Sequence, residues 1–127
     1  MDYEVLLKKA QDVSKNAYAK YSNFFVGACV LAQSGKTYVG CNVENASYGL
    51  AICAERNAIA NAIANGEKSI LAVAIYSPNM DNCTPCGACR QFIFEFQGDS
   101  EVEIITNTQD GFKVYKINEL LPFGFEL

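Results

Sequence analysis

The 127-residue sequence contains no histidine. That absence excludes Ser-His-Asp and Cys-His catalysis, and it removes both the commonest metal ligand and the usual neutral-pH base. Acid–base chemistry must then come from carboxylates, lysine, tyrosine, cysteine or a water activated by a metal. Positive charge is also scarce: ten Lys and Arg stand against fourteen Asp and Glu, a net charge of −4. Without a basic field for a phosphate backbone, nucleic acid is not expected as a partner, and a small neutral or polar substrate fits better. No apolar run approaches the roughly 18 residues of a membrane span, so no membrane partner is expected. The opening Met1-Asp2-Tyr3-Glu4 lacks the charged-then-apolar layout of an export signal, and a cytoplasmic protein is expected. Repeats, linkers and low-complexity tracts are missing too, so residues 1–127 read as one domain. With 50% hydrophobic and 19% charged residues, the chain has the composition to build a core.

The order of elements follows from periodicity. Val5, Leu6, Ala10, Val13, Ala17 and Tyr18 recur at helical spacing and predict an amphipathic helix over 3–20. Segments 25–31 and 37–42 read as strands joined by the turn Ser34-Gly35-Lys36. A helix is predicted over 53–64, stopped by Asn65-Gly66, and the apolar run 70–76 reads as a buried central strand. Pro85 opens a further helix over 86–96; strands at 102–106 and 112–115 and a helical turn at 118–121 follow. Two strands, then helix–strand–helix–strand, predict an α/β fold: a mixed sheet with helices on its faces.

The six cysteines are Cys29, Cys41, Cys53, Cys83, Cys86 and Cys89. An even count suits disulfides in small secreted domains, but without an export signal free thiols or a metal site fit better. Cys86 and Cys89 are three apart at a predicted helix start, on one face, where the helix dipole favours thiolates. Cys53 opens the other central helix. Two helix starts aimed at one point would present three thiolates and leave one tetrahedral position open, the arrangement of a catalytic zinc site. Glu55 lies two residues past Cys53, a spacing that normally puts side chains on different faces. It reaches the same point only if Cys53 sits where the chain is still entering the helix; there it can take a proton from activated water and pass it to a substrate nitrogen. Arg56, three past Cys53, is placed to donate to the sulfurs and offset the charge of three thiolates. Cys83 makes a C-x-x-C-x-x-C run and would give a closed structural site if it bound as a fourth ligand. Pro85 instead argues that Cys83 lies in the loop before the helix. Cys29 and Cys41 read as small core residues of strands.

The runs Asn42-Val43-Glu44-Asn45-Ala46-Ser47-Tyr48-Gly49, Cys53-Ala54-Glu55-Arg56 and Pro85-Cys86-Gly87-Ala88-Cys89-Arg90-Gln91 together resemble those of the small, homotetrameric, zinc-dependent cytidine deaminases. The likeness extends from the first helix to Leu120-Leu121-Pro122. It implies a three-layer α/β/α fold around a mixed five-stranded sheet, with one Zn²⁺ per subunit on Cys53, Cys86 and Cys89. It further implies Glu55 as the proton shuttle in hydrolysis of cytidine and 2′-deoxycytidine to uridine and 2′-deoxyuridine plus ammonia, a step of pyrimidine salvage. By the same resemblance, Asn42 and Glu44 hold the ribose, Phe24 packs beside the pyrimidine, and the backbone around Ala54 reads the base edge. Neighbouring subunits would complete each pocket with Ala46, Tyr48 and the C-terminal aromatic Phe125, near which Phe123 is an extra aromatic. Arg90 and Gln91 belong to the matched run but carry no chemistry; helix capping or a subunit contact suits them equally. Three rival readings remain: a deaminase of the same fold acting on a nucleoside antibiotic such as blasticidin S, a catalytically silent zinc-stabilised binding module, and a polynucleotide editor. The Asn42–Glu44 pair favours cytidine over the first, and the acidic charge balance disfavours the last.

Overall fold

The computed structural model describes residues 1–127. Five strands form one mixed sheet: β1 (Gly27–Ala32), β2 (Thr37–Cys41), β3 (Ile70–Tyr76), β4 (Glu103–Thr108) and β5 (Gly111–Lys116), in the order β2-β1-β3-β4-β5. Only β3 and β4 run parallel; the other neighbours are antiparallel. Helix α1 (Tyr3–Ser14) precedes the sheet, α2 (Ala54–Ala64) links β2 to β3, α3 (Gly87–Glu95) links β3 to β4, and the short α4 (Ile117–Leu120) follows β5. The apolar run predicted as a central strand is β3, third in the sheet.

Alternation along the strands decides which helix covers which face. Val73, Ile75, Ala28, Val30 and Ile104 point to one side and pack with Ala58, Ile59, Ile93 and Ile117 of α2, α3 and α4. Their neighbours Ala72, Ala74, Cys29 and Ile105 point to the other and meet Leu6, Leu7 and Ala10 of α1. The result is the expected α/β/α sandwich. No helix is long and apolar enough to cross a membrane.

Helix α1 stops at Ser14, six residues short of the predicted end at residue 20 and before its apolar stripe is complete. Tyr18 is drawn off into an extended bridge beside Val43: its N–H donates to the Asn42 carbonyl at 3.0 Å, and its carbonyl accepts from Glu44 N–H at 2.8 Å. Backbone pairing with a distant segment thus overrides local periodicity. The half-buried Cys41 also departs from the core position expected of it, whereas Cys29 is fully buried.

Helix α2 is riveted to the edge strand β2. Asn57 and Asn61, one turn apart, donate to the carbonyls of Cys41 (2.8 Å) and Val39 (3.2 Å). The approach is close enough to need a glycine opposite: a Cβ on Gly40 would stand 2.3 Å from Ala58 N and 2.8 Å from Ala54 O. Gly27 pairs with Cys41 on one side and Tyr76 on the other, so β2 and β3 leave the sheet at the same end. The chain leaving them enters α2 and α3, whose N-termini therefore face one another there. Gly40→Ala is expected to cost about 1–3 kcal/mol, the usual range for overpacking, read as a lower urea midpoint; an unchanged midpoint would show that α2 can back away without cost.

Candidate active site

Cys53 and Cys86 are the residues immediately before α2 and α3, both with extended backbones (φ −72°, ψ 155° and φ −67°, ψ 169°). Neither makes a side-chain cap, so the first N–H groups of both helices lack that side-chain partner. Cys89, fully buried, lies in the first turn of α3. The sulfurs of Cys53, Cys86 and Cys89 lie within 4.8 Å of one another, and those of Cys53 and Cys86 are 4.0 Å apart. Thiolates at about 2.3 Å from a tetrahedral Zn²⁺ would be about 3.8 Å apart, so the trio fits that ion. The set has three members, one short of a closed site, and Cys83 is outside it.

The extended entry at Cys53 turns Glu55 toward the same place. Glu55 is only 5% exposed and lines, with Phe24, Val26, Asn42, Cys53, Ala54, Cys83, Thr84 and Cys86, a pocket of about 200 Å³. Burial pushes its carboxyl up to about 7, and the Cys53 sulfur adds to the effect. A hydrogen bond from the Cys89 thiol, with further donation from Arg56 and Cys86, holds Cys53 down to about 5 against the opposing effect of burial. The Cys89 thiol, as donor to Cys53, is pushed up. Burial also pushes Cys83 up to about 11, which favours a neutral wall thiol there. Arg56 Nη2 points at Cys53 Sγ (3.7 Å) and the Ala51 carbonyl (3.4 Å). Its Nε is buried without a hydrogen-bond partner.

The other predicted residues fall in three places. Phe24, Asn42 and Ala54 line the metal pocket. Glu44 does not: with Tyr21, Ser22, Asn45, Tyr48 and Ala51 it lines a separate cleft of about 290 Å³. Its carboxylate accepts from the N–H groups of Tyr21 (3.0 Å) and Ser22 (3.2 Å) and from the Ser22 hydroxyl. Asn42 holds the next stretch of the same segment, accepting from Val26 N–H and donating to the Phe24 carbonyl, both at 2.8 Å. The two side chains together fix the loop that presents Phe24. Ala46 and Tyr48 are exposed, Tyr48 by 80%, and Phe125 is 66% exposed away from the pocket, beside Phe94 and Glu95.

Two residues that build this site carry roles the sequence did not show: Arg90, expected to cap a helix or meet a subunit, and Asn82, given no role. Arg90 donates to the carbonyls of Pro85 (2.7 Å) and Leu120 (2.9 Å), bracing the turn that carries Cys86. Asn82, at φ 52°, ties the same loop to the sheet: its side-chain oxygen accepts from Thr106 Oγ1 at 2.6 Å, and its N–H donates to the Asn107 carbonyl at 2.8 Å. An asparagine in a loop, a residue type that tolerates a left-handed backbone, was the available signal for Asn82; Arg90 offered none, since its partners are main-chain carbonyls.

Residues 1–106 match the family model described as the cytidine and deoxycytidylate deaminase zinc-binding region. A cytidine deaminase of Sporosarcina psychrophila is 39% identical over 125 residues, 98% of this chain and 92% of that protein. The crystal structure of cytidine deaminase from Burkholderia pseudomallei superposes with a TM-score of 0.90 at 42% identity, covering 98% of this chain and 100% of the other. That from Mycobacterium tuberculosis gives 0.86 at 34% identity, covering 100% and 99%.

Metal analysis is expected to find one zinc per chain, largely lost in Cys89→Ala and retained in Cys83→Ala. Loss of zinc from Cys83→Ala would put a fourth thiol in the set. Chelation should lower Tm, because an ion that binds only the folded chain stabilises it by mass action.

Proposed function

The chain belongs to the cytidine and deoxycytidylate deaminase family, and from that premise we propose that it is a zinc-dependent hydrolase converting cytidine and 2′-deoxycytidine to uridine and 2′-deoxyuridine plus ammonia. The observation that carries the proposal is a buried carboxylate, Glu55, in one pocket wall with Cys53 and Cys86 of a three-thiol cluster. What Zn²⁺ held by Cys53, Cys86 and Cys89 supplies is Lewis acidity, by which water becomes a nucleophile near neutral pH.

The chain's own residues do the rest. Water adds at C4 of the pyrimidine, forming the C4–O bond, while Glu55 takes its proton and delivers it to ring N3. The C4–N bond to the amine then breaks, and Glu55 moves the second proton onto the departing nitrogen, so that ammonia leaves neutral. The depth of Glu55 keeps bulk water from competing for these protons. Phe24 forms an apolar wall for the ring, the backbone at Ala54 meets the base edge, and Arg56 disperses negative charge from the sulfurs. Asn42 and Glu44 serve the ribose, each also fixing the segment from Tyr21 to Val26.

The exposure of Ala46, Tyr48 and Phe125 supports a homotetramer in which neighbouring subunits close each pocket with these residues. A cytoplasmic place in pyrimidine salvage accords with a nucleoside substrate.

Two measurements test this reading. Glu55→Gln should cut the turnover of cytidine, followed by its ultraviolet absorbance change, by about 10²–10⁴-fold with zinc still bound; full activity would place the proton shuttle elsewhere. Dilution until sedimentation reports monomers should abolish activity, and an active monomer would remove the shared pocket.

A further inference from the structure

Three side chains of α3 hold the end of α4 and the residues that follow it, with Leu121 packed against Gly124 as well. Arg90 Nη1 donates to the Leu120 carbonyl at 2.9 Å. The ring of Phe94 lies so close to Gly124 that a Cβ there would stand 2.8 Å from it. Gln91 then makes the most specific contact: its Nε2 donates to the Phe125 carbonyl at 3.0 Å, and its Oε1 accepts from the Phe125 N–H at 3.1 Å. A carboxamide that meets both polar groups of one residue copies the pairing of a neighbouring β-strand and fixes that residue in position and rotation. Yet the side chain so fixed is left 66% exposed, and Phe123, turned out at φ 54°, is fully exposed. Ordering this backbone costs conformational entropy that the Phe125 ring does not recover within its own chain. The same helix carries Cys86 at its cap and Cys89 in its first turn, so the ring is held at a set place relative to the metal site.

We propose that Gln91 is a positioning residue that presents the Phe125 ring, ready-ordered, to the pocket of a neighbouring copy. The inference rests on the shared-pocket reading of Phe125 given above. In a closed symmetric assembly, a tail fixed on one subunit becomes a fixed wall on its neighbour. Pre-ordering makes this effective, because a tail that had to be immobilised on each binding event would weaken substrate binding by that amount. Gln91 therefore acts on KM, through Phe125, and has no part in the proton transfers.

The experiment is a double-mutant cycle on the zinc-loaded assembly, with KM and kcat measured for wild type, Gln91→Ala, Phe125→Ala and the double variant. Hydrogen exchange of the tail and zinc content are read alongside. The expected result is a KM about tenfold higher in each single variant with kcat nearly unchanged, and a double variant no worse than Phe125→Ala. Gln91→Ala should also speed exchange at the Phe125 amide while zinc stays at one per chain. Gln91→Glu should behave like Gln91→Ala, since a carboxylate can accept from the Phe125 N–H but only repels its carbonyl. If Phe125→Ala kept a normal KM, the shared-pocket reading would fail, and this inference with it. If Phe125→Ala raised KM while Gln91→Ala did not, or if the two losses multiplied, the shared pocket would stand and Gln91 would lose its role.

Discussion

The extended backbone at Cys53 is the constraint on which the site depends. Within a regular helix, residues 53 and 55 would diverge by more than a right angle. Because Cys53 caps α2 and Glu55 occupies its first turn, both reach one pocket. The same device recurs at Cys86, the cap of α3. A cap whose side chain points away from its own helix is free to bind something else, and both caps here point to one place.

That convergence is produced by the sheet. β2 and β3 end side by side across β1, so the chain leaving each must turn over the same edge before entering its helix. Gly40 lets α2 lie against β2, and Asn57 and Asn61 bind the carbonyls of the edge strand, fixing the height of α2 and with it the position of Cys53. On the α3 side, Asn82 ties the preceding loop to β4 while Arg90 ties its last turn to α4. Two helix N-termini then direct positive potential at clustered sulfurs, and Arg56 adds a full charge to Cys53. The Cys89 thiol, donating to Cys53, pulls it down with help from Arg56, and burial pushes Glu55 up, which separates a sulfur suited to be a ligand from a carboxyl suited to carry a proton.

The substrate side is built differently, by side chains that hold backbone. Asn42 and Glu44 follow β2 closely, and both spend hydrogen bonds on the segment 21–26. That segment would otherwise be a long irregular link between α1 and β1. Gln91 does the same for the C-terminal tail. In each case a polar side chain serves a loop that presents an aromatic ring, Phe24 or Phe125.

The cluster of thiols with a carboxylate beside it, and the order of the elements, were legible before folding. The cysteine spacing, the missing histidines and Glu55 beside Cys53 are local facts, and helix starts are read from neighbouring residues; five alternating or apolar runs likewise announced five strands. The features that were not legible involve partners far apart in the chain. Helix α1 ends early because Tyr18 pairs with Val43, Glu44 faces its own cleft because it caps Tyr21 and Ser22, and Arg90 and Gln91 anchor residues 120 and 125. Each of these contacts uses main-chain atoms, which every residue possesses alike, so no pattern of side chains could announce them before the chain had folded.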